Sequence, residues 1–162
     1  MSDTRDQVES IERERPEGFL RPPRLRYAVG AWLAMVVLAI LNATLRELFV
    51  VPAVGDYRAH VVSTGTLLVA LGVLVAVYFV LVPEHTPGER RAVGALWAGL
   101  TVAFELGFGR YVAGDSWASL VGQYDVTAGR VWVLVPLFLL VAPALFGRYL
   151  GRQSDPETLG RS

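Results

Sequence analysis

Residues 92–111 read AVGALWAGLTVAFELGFGRY, a run apolar enough to cross a membrane that holds Glu105 inside it and Arg110 at its edge. Such a run folds stably only where something answers the carboxylate. A charged side chain at the centre of a bilayer costs about 3 kcal/mol even on insertion scales. Every other polar group in the chain is therefore read first as a candidate partner for Glu105.

Three further apolar runs accompany it. The first covers 27–49, with a clean apolar stretch from Ala28 to Leu41 and Trp32 near its start; Asn42, Thr44, Arg46 and Glu47 follow, and Pro52 and Gly55 are expected to close the helix. A basic, helix-breaking collar, Arg21-Pro-Pro-Arg-Leu-Arg26, precedes it. The second run covers 59–82 and stops at Pro83; its Gly72 and Ala76 form a small-xxx-small pair suited to close helix contact. The third covers 88–111. Thr86-Pro-Gly-Glu89 reads as a capping box with proline in the first turn. Within it Ala95, Gly99, Ala103 and Gly107 recur every fourth residue, which predicts a close-packing stripe. Glu105 lies about 200° from Ala103 around the helix, on the side of Ala98, Thr101 and Val102. The third span is thus expected to have neighbours on two sides and to be the central helix. The fourth run covers 126–149, with Asp125 or Thr127 as a cap and Pro136 and Pro143 as expected kinks. Between the third and fourth runs, Asp115 is expected to cap a short interfacial helix over 116–122, with Trp117, Leu120, Val121 and Tyr124 forming one face.

These runs explain why 53% of the 162 residues are hydrophobic. A bilayer core about 30 Å thick needs roughly 20 apolar residues per helix, and four such stretches are present. The reading is an all-α, integral membrane four-helix bundle over 21–150, between a disordered charged tail (1–20) and a polar tail (151–162). The opening MSDTRDQVESIERERPEGF alternates in charge and lacks the basic-then-apolar order of a signal peptide. Net charge is zero, which gives no reason to expect nucleic acid. The absence of cysteine excludes disulfides, thiol redox chemistry and thiolate metal sites.

All the basic residues are arginine. With a cytoplasmic N-terminus, Arg5, Arg13, Arg15, Arg21, Arg24, Arg26, Arg90, Arg91, Arg148, Arg152 and Arg161 fall inside, and Arg46, Arg58, Arg110 and Arg130 fall outside or in the outer half. That asymmetry follows the positive-inside rule and places both termini in the cytoplasm of a plasma-membrane protein.

The same topology gathers polar residues from every span at the outer end: Asn42, Arg46 and Glu47; His60 and Thr64; Glu105 and Arg110; Arg130. Glu105 with Arg46 or Arg130, and Glu47 with His60 or Arg110, are the expected pairs. Two readings stand. One is a buried ion-pair network that fixes helix register. The other is an outward polar cavity for a small polar or anionic solute, or a proton path using Glu105 and Arg46. His60, Glu47 and Asp56 have no metal-ligand spacing, so no metal is expected, and no cofactor motif is present. Gly107-Phe-Gly109 lacks the strand and Lys-Ser/Thr of a phosphate loop, and Ser63 and Ser116 lack a nucleophile elbow. Asn42-Ala-Thr44 matches a glycosylation site but lies within a span.

NATLRELFVVPAVGDYRAHVVS (42–63), ALWAGLTVAFELGFGRYVAGDSW (95–117) and LVGQYDVTAGRVWVLVPLFLL (120–140) together resemble a small family of prokaryotic four-span membrane proteins with no assigned activity. The resemblance implies the four-span architecture alone. Quinone-linked four-span oxidoreductases need paired cysteines, and small multidrug exporters carry their membrane carboxylate in the first span, so neither pattern fits. The expected role is a structural, accessory or interaction protein whose partners are membrane lipids and a membrane protein or second copy. The alternatives are a small oligomeric transporter or channel and, third, an intramembrane enzyme with an outward-facing site.

Overall fold

A computed structural model describes residues 22–82, 85–122, 124–125 and 131–150. The charged N-terminal stretch, the polar C-terminal stretch, Thr127 and Arg130 lie outside the described residues. Among the described residues the fold is all helical. In chain order it comprises α1 (Pro22–Leu45), a π-helical turn (Arg46–Val50), α2 (Val51–Val54), α3 (Asp56–Leu81), α4 (Pro87–Tyr111), the short α5 (Trp117–Gly122), a 3-10 turn (Val131–Val133) and α6 (Leu134–Leu150).

Four helical segments are long and apolar enough to cross a membrane: Arg24–Val54, Asp56–Leu81, Pro87–Tyr111 and Val131–Leu150. Their apolar surface faces outward. Only 11% of the apolar window of the first span and 33% of that of the second are buried within the protein. Leu33, Val37, Leu48, Phe49, Val69, Val73, Val80 and Leu81 are all exposed. A water-soluble bundle would bury such residues; hydrocarbon is the solvent that accepts them. The chain is a multi-pass membrane protein built as a four-helix bundle.

The ends of the elements depart from expectation for identifiable reasons. The prolines of the collar do not break a helix. Helix α1 begins at Pro22, where a missing N–H is one that the first turn leaves unpaired anyway. Nor does Pro52 end the first span. The turn before it widens, with the Val51 N–H reaching back five residues to the Arg46 carbonyl, and the helix continues to Val54. A π turn upstream relieves the clash that a proline ring makes with the preceding turn. Gly55, at φ 79°, then reverses the chain into α3. Pro136 lies in the first turn of α6, where it interrupts nothing; Pro143 lies inside that helix.

The packing order also corrects the sequence reading. Helix α4 does have neighbours on two sides, α6 and the first half of α1, but it is not the hub of the bundle. It lies along α6 for much of its length, and α6 also packs on α3. The tight contact is made by Gly94 rather than by the predicted stripe: a Cβ on Gly94 would overlap the Leu140 carbonyl oxygen. Pro143 contributes, because its missing N–H leaves the Leu139 carbonyl, 3.3 Å from that Cβ position, without its helical donor. Gly99 would meet nothing within 4 Å, and neither would Gly107; Ala95, Gly99 and Ala103 face outward. The stripe reading failed because four-residue spacing drifts around a helix, and the shared face follows the large buried residues Val93 and Trp97. A Cβ on Gly72 would stand 3.6 and 3.9 Å from the Phe138 and Phe146 rings of α6, ordinary side-chain contact rather than a backbone crossing.

Helix α1 changes partner along its length. At the end shared by the start of α1, the end of α3 and the start of α4, it is fastened to α4. Arg24 pairs with Glu89 at 2.7 Å, the Trp97 indole donates to the Ala28 carbonyl at 2.8 Å, and the Trp32 indole donates to Thr101 Oγ1 at 3.2 Å. Further along it is fastened to α3 instead, through Asn42 Nδ2 donating to the Ser63 carbonyl at 3.1 Å.

Candidate functional site

Because α1 leaves α4 to follow α3, a gap opens between α1 and α4 in the half of the bundle opposite the Arg24–Glu89 end. It is a cavity of about 290 Å³. Met35, Val36, Ala39 and Ala43 form the α1 wall; Thr101, Phe104, Glu105 and Phe108 form the α4 wall. Leu67 and Leu71 of α3 and Val135 and Leu139 of α6 close the back. Ile40 and Phe108 line it and are also about half exposed, so its mouth opens sideways, toward lipid. Leu120, Tyr124 and Asp115, from the segment after α4, cover its far end.

Glu105 is the charged group inside. Its Oε2 accepts a hydrogen bond from the Tyr124 hydroxyl at 2.5 Å. The buried Trp132 indole N–H lies toward the same carboxylate but does not reach hydrogen-bond geometry. Burial, and then the neighbouring Glu105, hold the Tyr124 hydroxyl well above its ordinary pKa, so it keeps its proton and remains a donor. Among the described residues Glu105 makes no ion pair.

That arrangement corrects the expected pairing. Glu105 does not meet Arg46. Arg46 instead pairs with its neighbour Glu47 at 2.6 Å, and its Nη1 lies 3.3 Å from His60 Nδ1. Neither Arg46, Glu47, His60, Asn42 nor Thr64 lines the cavity. Arg110 donates to the Asp115 main-chain carbonyl at 3.2 Å rather than to Glu47. The polar residues expected at the outer end thus form two groups. Asn42, Ser63, Arg46, Glu47 and His60 tie α1 and the π turn to α3; Glu105, Tyr124, Arg110 and Asp115 gather at the end of α4. The physical reason is that the separation of α1 from α4 puts apolar space between them.

Tyr124 carries no sequence signal as a partner for Glu105, because a carboxylate in a span calls first for a base. The segment that carries it reads as an interfacial face, and half of that face turns inward. Trp117 and Val121 are exposed, whereas Leu120 is buried against Gly109. Ser116, not Asp115, caps α5, its Oγ accepting from the Ser119 N–H at 3.2 Å.

A second polar cluster, unforeseen as such, sits at the opposite end. The capping box is present: Glu89 N–H donates to Thr86 Oγ1 at 3.2 Å, and Thr86 N–H donates to Glu89 Oε2 at 2.9 Å. Glu89 also takes Arg24. Beside it, the Tyr78 hydroxyl lies 3.1 Å from His85 Nε2, and Arg90 Nε donates to the His85 carbonyl at 3.1 Å. His85 is buried against Tyr78 and Phe79, and its Nδ1 lacks a partner in hydrogen-bond geometry. Burial holds its pKa below the ordinary value, Arg24 reinforces this, and Glu89 opposes it. The available signal was depth: Glu89 in the first turn of α4 and Arg24 in the first turn of α1 enter the membrane at the same end. Among the described residues no group of three metal-ligating side chains occurs.

The fold and this site define a multi-pass, all-α membrane protein with a laterally open, mostly apolar cavity in one half of its bundle. Compared with family models, with curated proteins and with solved structures, the chain matches none of them.

Proposed function

We propose that this chain is an accessory binding protein of the cytoplasmic membrane, with both termini in the cytoplasm, that receives an apolar membrane-dissolved molecule in the cavity between α1 and α4. The carrying observation is the cavity itself. Its walls are apolar along Met35, Val36, Ala39, Phe104 and Leu139, its mouth lies at the lipid-facing Ile40 and Phe108, and its volume is at the lower end of small-molecule sites. The distribution of arginines supports the orientation, and the resemblance to prokaryotic four-span proteins supports the setting. A solute path using Glu105 and Arg46 together draws no support from their separation. The transporter reading would need a polar route through the bundle, whereas the described wall is apolar.

The test uses the full chain in nanodiscs and a long-chain alcohol bearing a diazirine. Photolabelling is expected at Met35, Ala39 and Phe104, and is expected to be lost when Ala39→Phe fills the space. Labels confined to lipid-facing residues such as Val69, Val73 and Val80, with none on the cavity wall, would overturn the proposal.

A further inference from the structure

The polar lining of the cavity is one-signed. Its charged residues are Glu105, halfway in, and Asp115, at the outer end; among the described residues no arginine or histidine lines it. Arg110, five residues on from Glu105 in α4, is exposed and engages the Asp115 main-chain carbonyl. Glu105 has one oxygen occupied by Tyr124 and makes no ion pair among the described residues. We infer that the cavity takes an amphipathic cation, a protonated amine on an apolar chain, with the ammonium at Glu105 and the chain along Met35, Val36 and Leu71.

The inference rests on the cavity being a binding site, and it follows from charge balance. A carboxylate in an apolar cavity is stabilised most by an opposite charge brought within a few ångströms. A neutral molecule leaves that charge unanswered, and an anion adds a second of the same sign. The hydroxyl of Tyr124 fixes the carboxylate, so the ligand does not have to order it. Glu105 lies six residues before Tyr111, the last residue of α4, or about 9 Å along the axis. An ammonium head entering through the lateral mouth at Phe108, three residues on from Glu105, reaches the carboxylate without crossing the bilayer midplane. Thr101 Oγ1, one turn deeper, already accepts the Trp32 indole, so the chain beyond Glu105 meets a mainly apolar wall.

The experiment is competition against the photolabel in nanodiscs of zwitterionic lipid, with octylamine at neutral pH, octanol and octanoate as probes. On the unmodified protein, octylammonium is expected to displace the label from Ala39 and Phe104 at lower concentration than octanol, and octanoate is expected to be weakest. Glu105→Gln is expected to weaken octylammonium by about 10- to 100-fold, the range of a hydrogen bond to a charged group. Octanol, whose hydroxyl carries no charge, should lose much less than the amine, and its remaining competition shows whether the variant cavity is intact. The ranking on the unmodified protein needs no variant to fold. Equal potency of amine and alcohol, or an amine advantage that survives Glu105→Gln, overturns the inference while leaving the cavity reading standing. A label that never reaches Ala39 or Phe104 overturns both.

Discussion

Gly94→Ala is expected to destabilise the bundle where Gly99→Ala does not, and the pair isolates the contact between α4 and α6. A Cβ at position 94 would overlap the Leu140 carbonyl oxygen and lie 3.1 Å from Leu140 C and 3.3 Å from the Leu139 carbonyl oxygen. All three are backbone atoms of α6, so no side chain can swing aside; the helices must separate. Overpacking of this kind costs about 1–3 kcal/mol, and contact with backbone puts this site at the upper end. Replacing glycine by alanine inside a helix also gains about 1 kcal/mol of propensity, equally at both positions. Net destabilisation is therefore about 2 kcal/mol for Gly94→Ala, against neutrality or a slight gain for Gly99→Ala, whose Cβ meets open space. Reversible unfolding in mixed micelles by titrated denaturing detergent, followed by tryptophan fluorescence, reads the difference. Trp97 suits this readout because it is fully buried one turn from Gly94. Equal midpoints for the two variants would refute the packing argument. A larger loss at Gly99 would restore the small-residue stripe as the true interface.

The opposite end of the bundle carries two more expectations. Arg24→Ala leaves Glu89 buried with only its capping bonds, and should cost about 2–3 kcal/mol, somewhat below a fully buried pair because Arg24 is partly exposed. Adding Glu89→Gln should recover part of that loss in the same unfolding assay, and strictly additive losses would show that the pair is not coupled. His85 gives a pH dependence whose sign follows from its lowered pKa. The unfolded chain binds a proton near pH 6.5 that the folded cluster, facing Tyr78, Arg24 and Arg90 with Glu89 opposing, resists. Stability is thus full above about pH 6.5 and falls as the pH drops from there toward the folded pKa, by at most about 1.4 kcal/mol per pH unit. His85→Gln should remove that part of the slope, and an unchanged slope would assign it to other groups.

The spans were legible because bilayer thickness imposes long apolar runs, and the capping box at Thr86 and Glu89 was legible because it is local. What stayed hidden depended on helix direction. Sequence spacing places Asn42, Arg46, His60 and Glu105 at one membrane depth, but depth is not proximity. Four helices at equal depth still leave open which neighbours touch. Trp32 and Trp97 decide this for the first half of α1, by donating to Thr101 and Ala28 across the α1–α4 boundary. Neither bond has a sequence signature: Trp32 reads equally well as an interfacial anchor near the start of its span, and nothing in the sequence marks which helix Trp97 faces. Glu105 lines the cavity; of its two expected partners Arg46 stands elsewhere and Arg130 lies outside the described residues, and among the described residues Tyr124 is what meets it. A tyrosine hydroxyl in a loop answers a membrane carboxylate as an arginine can, without neutralising it.

That last difference shapes the site. Had Arg46 reached Glu105, that half of the bundle would hold a closed ion pair, and α1 would have to lie against α4 along its whole length. Arg46 instead stands at the start of a π turn, joined to Glu47 and His60, while Asn42 binds the Ser63 carbonyl one turn earlier. These contacts draw the second half of α1 onto α3. The indole bonds and the Arg24–Glu89 pair hold its first half on α4. A helix fastened to different neighbours at its two ends must leave space beside the one it departs from, and Glu105 faces that space. The cavity and a carboxylate with no ion pair among the described residues therefore share one structural cause, the change of partner along α1. Closing α1 onto α4 would fill the cavity with apolar side chains, yet supply no charge to Glu105. A ligand that brings both an apolar chain and a positive head satisfies the two deficits at once.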